Sequence, residues 1–112
     1  MRSFELSQLQ AEREQSARAY LEFLRVPTMS AGLYTLPAGA EDRQRPHAED
    51  ELYYVVSGRA QFRVGIEDQA VASGSILFVE AGLAHRFHSI TENLTVLVLF
   101  APAEGSHKEG AA

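Results

Sequence analysis

Between Arg45 and Tyr53 the chain reads Arg-Pro-His-Ala-Glu-Asp-Glu-Leu-Tyr, which gathers an imidazole, several carboxylates, a guanidinium and a phenol in one short stretch. Imidazole nitrogen and carboxylate oxygen are donors that hold a divalent transition metal, and a phenol can pass a proton to a bound molecule. Which of these groups act together depends on where the backbone points them. If the segment from Glu51 is a strand, Glu51, Tyr53 and Val55 share one face and Leu52, Tyr54 and Val56 the other. Arg45 and His47 can fall on the first face as well, so that His47 and Glu51 point into the same space as Tyr53. Farther along, His85 and Phe87 share a face by the same alternation. The chain has no cysteine, so any metal must be held by histidine nitrogen and carboxylate oxygen. His88 stands an odd number of residues from His85 and is expected to face outward; His107 is expected in solvent.

The elements that must position these groups are short. Ser7 followed three residues later by Gln10 resembles a capping box, and predicts a helix to about Ala17 with a thin apolar face. Tyr20 to Val26 is rich in aromatic and branched residues and is read as a strand ended by Pro27. From Met29 onward, strand-like runs alternate with turn residues: Ser30–Leu36, Glu51–Val56, Arg59–Gly65, Gln69–Ala72, Ser75–Val79, His85–Ile90 and Leu94–Ala101. Pro37 to Pro46 reads as a loop. With no long helical segment between the strands, parallel crossovers are disfavoured, and a mostly antiparallel all-β barrel or jelly roll is expected. After Pro102 the composition turns polar and small, and a mobile tail is expected. The division is then 1–27 for the helix and an edge strand, 28–102 for the barrel and 103–112 for the tail.

At 112 residues and 46% hydrophobic, the chain supports one core. A net charge of −5 with interspersed signs offers no basic stripe for nucleic acid. The longest apolar run falls far short of the roughly 18 residues a membrane span needs, and no signal pattern opens the chain, so a cytoplasmic protein without membrane contact is expected.

Two spaced patterns, Gly39-x5-Arg45-x-His47-x3-Glu51-x6-Gly58 and Gly74-x5-Glu80-x-Gly82-x2-His85, resemble the two motifs of the cupin superfamily, and the resemblance runs from about Ala31 to Pro102. It implies a double-stranded β-helix, or jelly-roll, barrel with one metal inside, held in the family by three histidines and a glutamate. On this resemblance His47 and Glu51 fall on the second histidine and the glutamate of the first motif, and His85 on the histidine of the second. Arg45 stands where the first histidine belongs, Glu80 where proline is usual and Ser89 where asparagine is frequent. Two imidazoles and one carboxylate leave positions open for substrate or dioxygen, and iron, manganese, nickel, cobalt and zinc are all compatible.

A guanidinium cannot coordinate a cation, so Arg45 must do something else. Three roles are open: pairing with Glu49 or Asp50 outside, holding an anionic substrate group beside the metal, or giving way to the Gln44 amide oxygen through a local bulge. Tyr53 or Glu51 is expected to handle protons, with plain packing beside Phe87 as the alternative for Tyr53; Glu49 and Asp50 are expected in solvent. The resemblance then implies a metal-binding barrel acting on a small, anionic organic molecule, such as a dioxygenase, isomerase or lyase. The alternatives are a binding or sensing barrel with a structural metal or none, and a metal-free barrel whose Arg45 binds a carboxylate. A homodimer is expected, because cupins commonly pair and because Tyr20–Val26 and Leu94–Phe100 offer apolar strands.

Overall fold

Alternating apolar residues separated by turn formers give strands, and six form here behind one helix: α1 (Leu6–Ser16), β1 (Tyr20–Val26), β2 (Met29–Leu36), β3 (Asp50–Val64), β4 (Glu67–Ala72), β5 (Ile76–Val79) and β6 (His85–Ala101). The computed structural model describes residues 1–106. All pairings are antiparallel, in the order β1-β2-β6-β3-β4, with β5 on the free edge of β3. β3 and β6 pair along almost their whole length, from Asp50↔Ala101 to Val64↔His85, and bend together, which closes the sheet into a jelly-roll barrel.

Four runs expected to be separate strands are therefore two long ones. Ser57 and Gly58 read as a turn, yet they form an irregularity within β3, where the ladder to β6 shifts register between Val55 and Gln61. Gly58 has φ 103°, and a Cβ there would run into the carbonyl of Asn93. The glycine that signals a strand end serves a bulge, because the partner strand continues past it.

The inner face follows the alternation predicted for β3: Glu51, Tyr53 and Val55 are buried while Leu52 and Tyr54 are exposed. Tyr53, Phe62 and Phe87 pack ring to ring at centroid distances of 4.7 to 5.5 Å, and each contributes on the order of 1.5–3 kcal/mol by leaving water. Outside the barrel, α1 lies on β1 and β2 and buries Leu9, while Phe4 meets Phe23 at 4.9 Å. The helix begins at Leu6 after an extended Glu5 with no side-chain cap, so Ser7 lies within the helix and caps nothing. Docking of Leu9 on the sheet, rather than a local cap, sets where this helix starts.

Past β6 the chain does not leave the barrel at once. Ala103 is buried and its N–H donates to the Pro27 carbonyl, Glu104 N–H donates to Ser30 Oγ at 2.9 Å, and Arg25 holds the Glu104 carbonyl at 2.6 Å. Residues 103–106 are thus seated on the start of β2, where composition alone suggested a mobile tail. His107 and the remainder of that tail lie outside the described residues. Among the described residues, no helix is long and apolar enough to cross a membrane.

Candidate metal centre

The loop from Pro37 to Glu49 brings its polar residues to the barrel mouth because its ends and middle are tied down. Gly39 N–H donates to the Ile90 carbonyl, and Gly82 N–H donates to the His47 carbonyl at 2.7 Å, which joins the two motif loops directly. Asp42 is the central tie: its buried carboxylate accepts from Tyr34 Oη at 2.8 Å, Gln44 Nε2 at 2.8 Å and the backbone N–H of Phe87 at 2.9 Å. Those three bonds link β2, the loop and β6 at one point, and a carboxylate so placed offsets its desolvation by charge-assisted hydrogen bonds.

His47 from the loop, Glu51 from β3 and His85 at the start of β6 come together, each offering one ligand atom within 4.8 Å of the others. The imidazole of His85 is fully enclosed. Its Nδ1 lies 2.8 Å from the Leu83 carbonyl, which only accepts, so Nδ1 carries the hydrogen and Nε2 faces the site. Nε2 stands 2.9 Å from Glu51 Oε1 and 3.1 Å from Tyr53 Oη. Burial by itself would lower the His85 pKa; the Glu51 carboxylate, the Leu83 carbonyl and Asp42 outweigh it, and the net shift is upward from 6.5.

The residues present fit a transition metal. Both oxygens of Glu51 are buried and neither has a hydrogen-bond partner of acceptable geometry, although Oε1 is close to His85 Nε2. His85 Nε2 and Glu51 Oε1 lie 2.9 Å apart, and the ligand atoms of all three residues lie within 4.8 Å of one another, close enough for one ion to be held by the set. Nitrogen, nitrogen and carboxylate oxygen form a set suited to first-row divalent ions.

His47 is less enclosed; its ring meets the edge of Phe100 at 4.8 Å, and its Nδ1 is 3.6 Å from Glu104 Oε2. Beside these groups opens a cavity of about 180 Å³ lined by Tyr20, Tyr34, Gln44, His47, Glu51, Tyr53, Val98, Phe100 and Glu104. Gly32 makes room for one wall: a Cβ there would strike the ring of Tyr20, which lies across β2. Burial, with the Glu104 carboxylate, raises the Tyr20 pKa, and burial with Asp42 raises that of Tyr34. Tyr53 is pushed well above 10 by burial and then by Glu51, so its hydroxyl stays neutral and serves as a donor rather than a base. Burial also raises the Glu104 carboxyl, opposed by His47.

Arg45 is exposed and does not line the cavity, whereas its neighbour Gln44 does, accepting from Tyr53 Oη at 2.8 Å. The inward-facing oxygen of Gln44 is thus engaged with Tyr53, and the exposed Arg45 side chain stands outside the cavity. Glu49, expected in solvent, is 2% exposed, with Oε2 lacking a hydrogen bond, because the loop folds it under the mouth; Asp50 is exposed and accepts from the Ala81 N–H. His88 faces away from the site and pairs with Asp68 at 2.8 Å. Asp42, Tyr20, Tyr34 and Glu104 escaped sequence reasoning. Tyr20 and Tyr34 are cross-strand partners in β1 and β2 and so share a face, but nothing in the residue order says which face is inward.

Known proteins of similar sequence and shape place these observations in a family. The family model described as cupin domain matches residues 32–101. The uncharacterized protein SCO3923 of Streptomyces coelicolor is 56% identical over 104 residues, covering 93% of this chain and 99% of its own. Among solved structures, TT1209 from Thermus thermophilus is similar at 26% identity and a TM-score of 0.69, covering 92% of this chain and 99% of that one. An RmlC-like cupin with a double-stranded β-helix fold from Methanocaldococcus jannaschii is similar at 17% identity and a TM-score of 0.70, covering 83% of this chain and 84% of that one, a likeness of fold.

Proposed function

This chain belongs to the cupin-domain family, and on that premise we propose that it binds one divalent transition metal through His47, Glu51 and His85 and acts on a small organic molecule held in the barrel beside it. The observation that carries this reading is the convergence of His47, Glu51 and His85, whose ligand atoms lie within 4.8 Å of one another, with His85 Nε2 aimed inward by its own Nδ1 contact. When bound, such an ion supplies a Lewis acid with coordination positions free for a substrate oxygen. The chain's own residues do the rest. The Leu83 carbonyl fixes the tautomer of His85, the neutral Tyr53 hydroxyl donates to Gln44 Oε1 and presents its oxygen at the cavity wall, and the Phe62 and Phe87 rings pack behind it.

A purely structural site is closed by a fourth protein ligand. Among the described residues no further histidine, cysteine, aspartate or glutamate joins the three, and the cavity is lined by Glu51 and His47, which favours a reactive metal over the structural metal of a binding or sensing barrel. The donor set suits iron, manganese, nickel, cobalt or zinc alike. A preference for anions through Arg45 is not part of the reading, because that side chain stands outside the cavity. Metal analysis of protein purified without chelator, followed by calorimetric titration with each of these ions, should give one ion per chain. Protein that carries none and binds none overturns the reading.

We also propose a homodimer, through a surface related to the one expected. The outer face of β1 is occupied by α1, but Leu52 and Tyr54 on β3 and their cross-strand partners Phe78 and Ile76 on β5 form a contiguous exposed apolar patch. It continues onto Leu97 and Leu99 of β6. A second copy of the chain, presenting the same apolar face, is the occupant proposed for it.

A further inference from the structure

The hydrogens around the cavity that chemistry can place point away from it. Asp42 as a carboxylate only accepts, so Tyr34 spends its hydroxyl hydrogen on Asp42 Oδ1 and Gln44 turns its amide nitrogen to Oδ2. That orients the Gln44 carbonyl oxygen toward Tyr53, which spends its own hydroxyl hydrogen there. Tyr34 and Tyr53 therefore show lone pairs to the cavity. The carboxylates of Glu51 and Glu104 line it too, Glu104 Oε2 lying 3.6 Å from Nδ1 of the lining His47, and no lysine or arginine is among the described lining residues. Tyr20 Oη is buried without a hydrogen-bond partner. Four rings, Tyr20, Tyr34, Tyr53 and Phe100, complete a wall whose faces carry negative potential.

We infer that this cavity selects a small organic cation with N–H donors, an alkylammonium group held by Glu104 and Tyr20 against the aromatic wall. The inference deepens the proposed function and rests on its reading of the cavity as the ligand site. An acceptor-rich, aromatic pocket is the complement of an ammonium; it repels a carboxylate, which brings only further acceptors. The volume of about 180 Å³ suits a small molecule. Glu104 is the specificity-determining residue, supplied by a segment that reads as a tail and is fixed by Ser30, Pro27 and Arg25.

The test compares three probes of one length: 4-amino-1-butanol, 1,4-butanediol and 4-hydroxybutyrate, titrated calorimetrically into chelator-treated protein and again into nickel-treated protein. The amine should bind at least about ten-fold tighter than the diol in both, and in chelator-treated protein the acid should bind weakest. Glu104→Gln should remove the preference, weakening the amine by about ten-fold to a hundred-fold while leaving the diol unchanged. Arg45→Gln should change none of the three. If Glu104→Gln melts early, Tyr20→Phe replaces it and should weaken the amine several-fold. Tighter binding of the acid in chelator-treated protein, no amine binding at millimolar concentration, or an unchanged amine-to-diol ratio in the variants overturns the inference. Nickel binding without the amine preference sinks this inference alone. The amine preference without any metal binding sinks the metal reading alone.

Discussion

Replacing Glu51 by glutamine separates what this residue does for the fold from what it does for the site. In the metal-free protein the Glu51 side chain is almost wholly enclosed, and among the described residues its ion-pair partner is His85, whose Nε2 is 2.9 Å from Oε1. While His85 is protonated, the pair offsets part of the cost of burial. The His85 pKa is raised in the folded protein above its ordinary 6.5, so the stabilisation is fully present below about 6.5 and is lost as pH rises through the folded value. Above that value a bare carboxylate sits beside a neutral ring, and an unsatisfied buried group costs about 1–3 kcal/mol. Glutamine keeps the shape and removes the charge. Chelator-treated Glu51→Gln should therefore match or fall below the parent near pH 5.5 and exceed it near pH 9 by about 1–3 kcal/mol, where each kcal/mol moves the melting temperature by roughly 4–8 °C. Its stability should vary less with pH between those points, because burial then lowers the His85 pKa with less to oppose it. The same variant should bind zinc or nickel at least about a hundred-fold more weakly, since an anionic ligand is gone. Thermal unfolding at the two pH values and calorimetric metal titration read both effects. A variant that is less stable than the parent at pH 9 and binds metal equally well would refute the reasoning, for it would make Glu51 a structural hydrogen-bonding residue.

Phe87→Ala should destabilise by about 3–5 kcal/mol, because a fully buried ring packed on Tyr53 and Phe62 leaves a cavity that the bent ladder cannot close; denaturant unfolding with an unchanged slope is the check. Gly32→Ala should push the Tyr20 ring off β2 and lower stability by about 1–3 kcal/mol, with the Tyr20 ring signals in the NMR spectrum moving most. Sedimentation of the parent at micromolar concentration should give a dimer and Phe78→Glu a monomer of unchanged melting behaviour, since Phe78 is 61% exposed in the single chain; a parent that sediments only as monomer removes the proposed interface.

Much of the barrel was legible because strand alternation is local. The inward set of Glu51, Tyr53 and Val55 and the outward set of Leu52 and Tyr54 follow from a period of two, and the antiparallel architecture from the lack of crossover helices. Motif spacing singled out His47, Glu51 and His85, and the fold brings those three together. The continuity of β3 through Gly58 was not legible, because a glycine marks a turn or a bulge equally well and only the partner strand decides. Loop residues were least legible of all. Gln44 turns inward and Arg45 outward because Asp42 is held by Tyr34 and by the Phe87 backbone, groups from β2 and β6 that no local pattern connects to the loop. Glu104 reaches the cavity only because Ser30, Pro27 and Arg25 seat the segment after β6. Alternation and spacing are written along the chain, so residue order alone determined the strand faces and the metal-donor candidates. The direction of a polar side chain in a loop is set by hydrogen-bond partners distant in sequence, so only the tertiary structure decided which groups form the cavity wall.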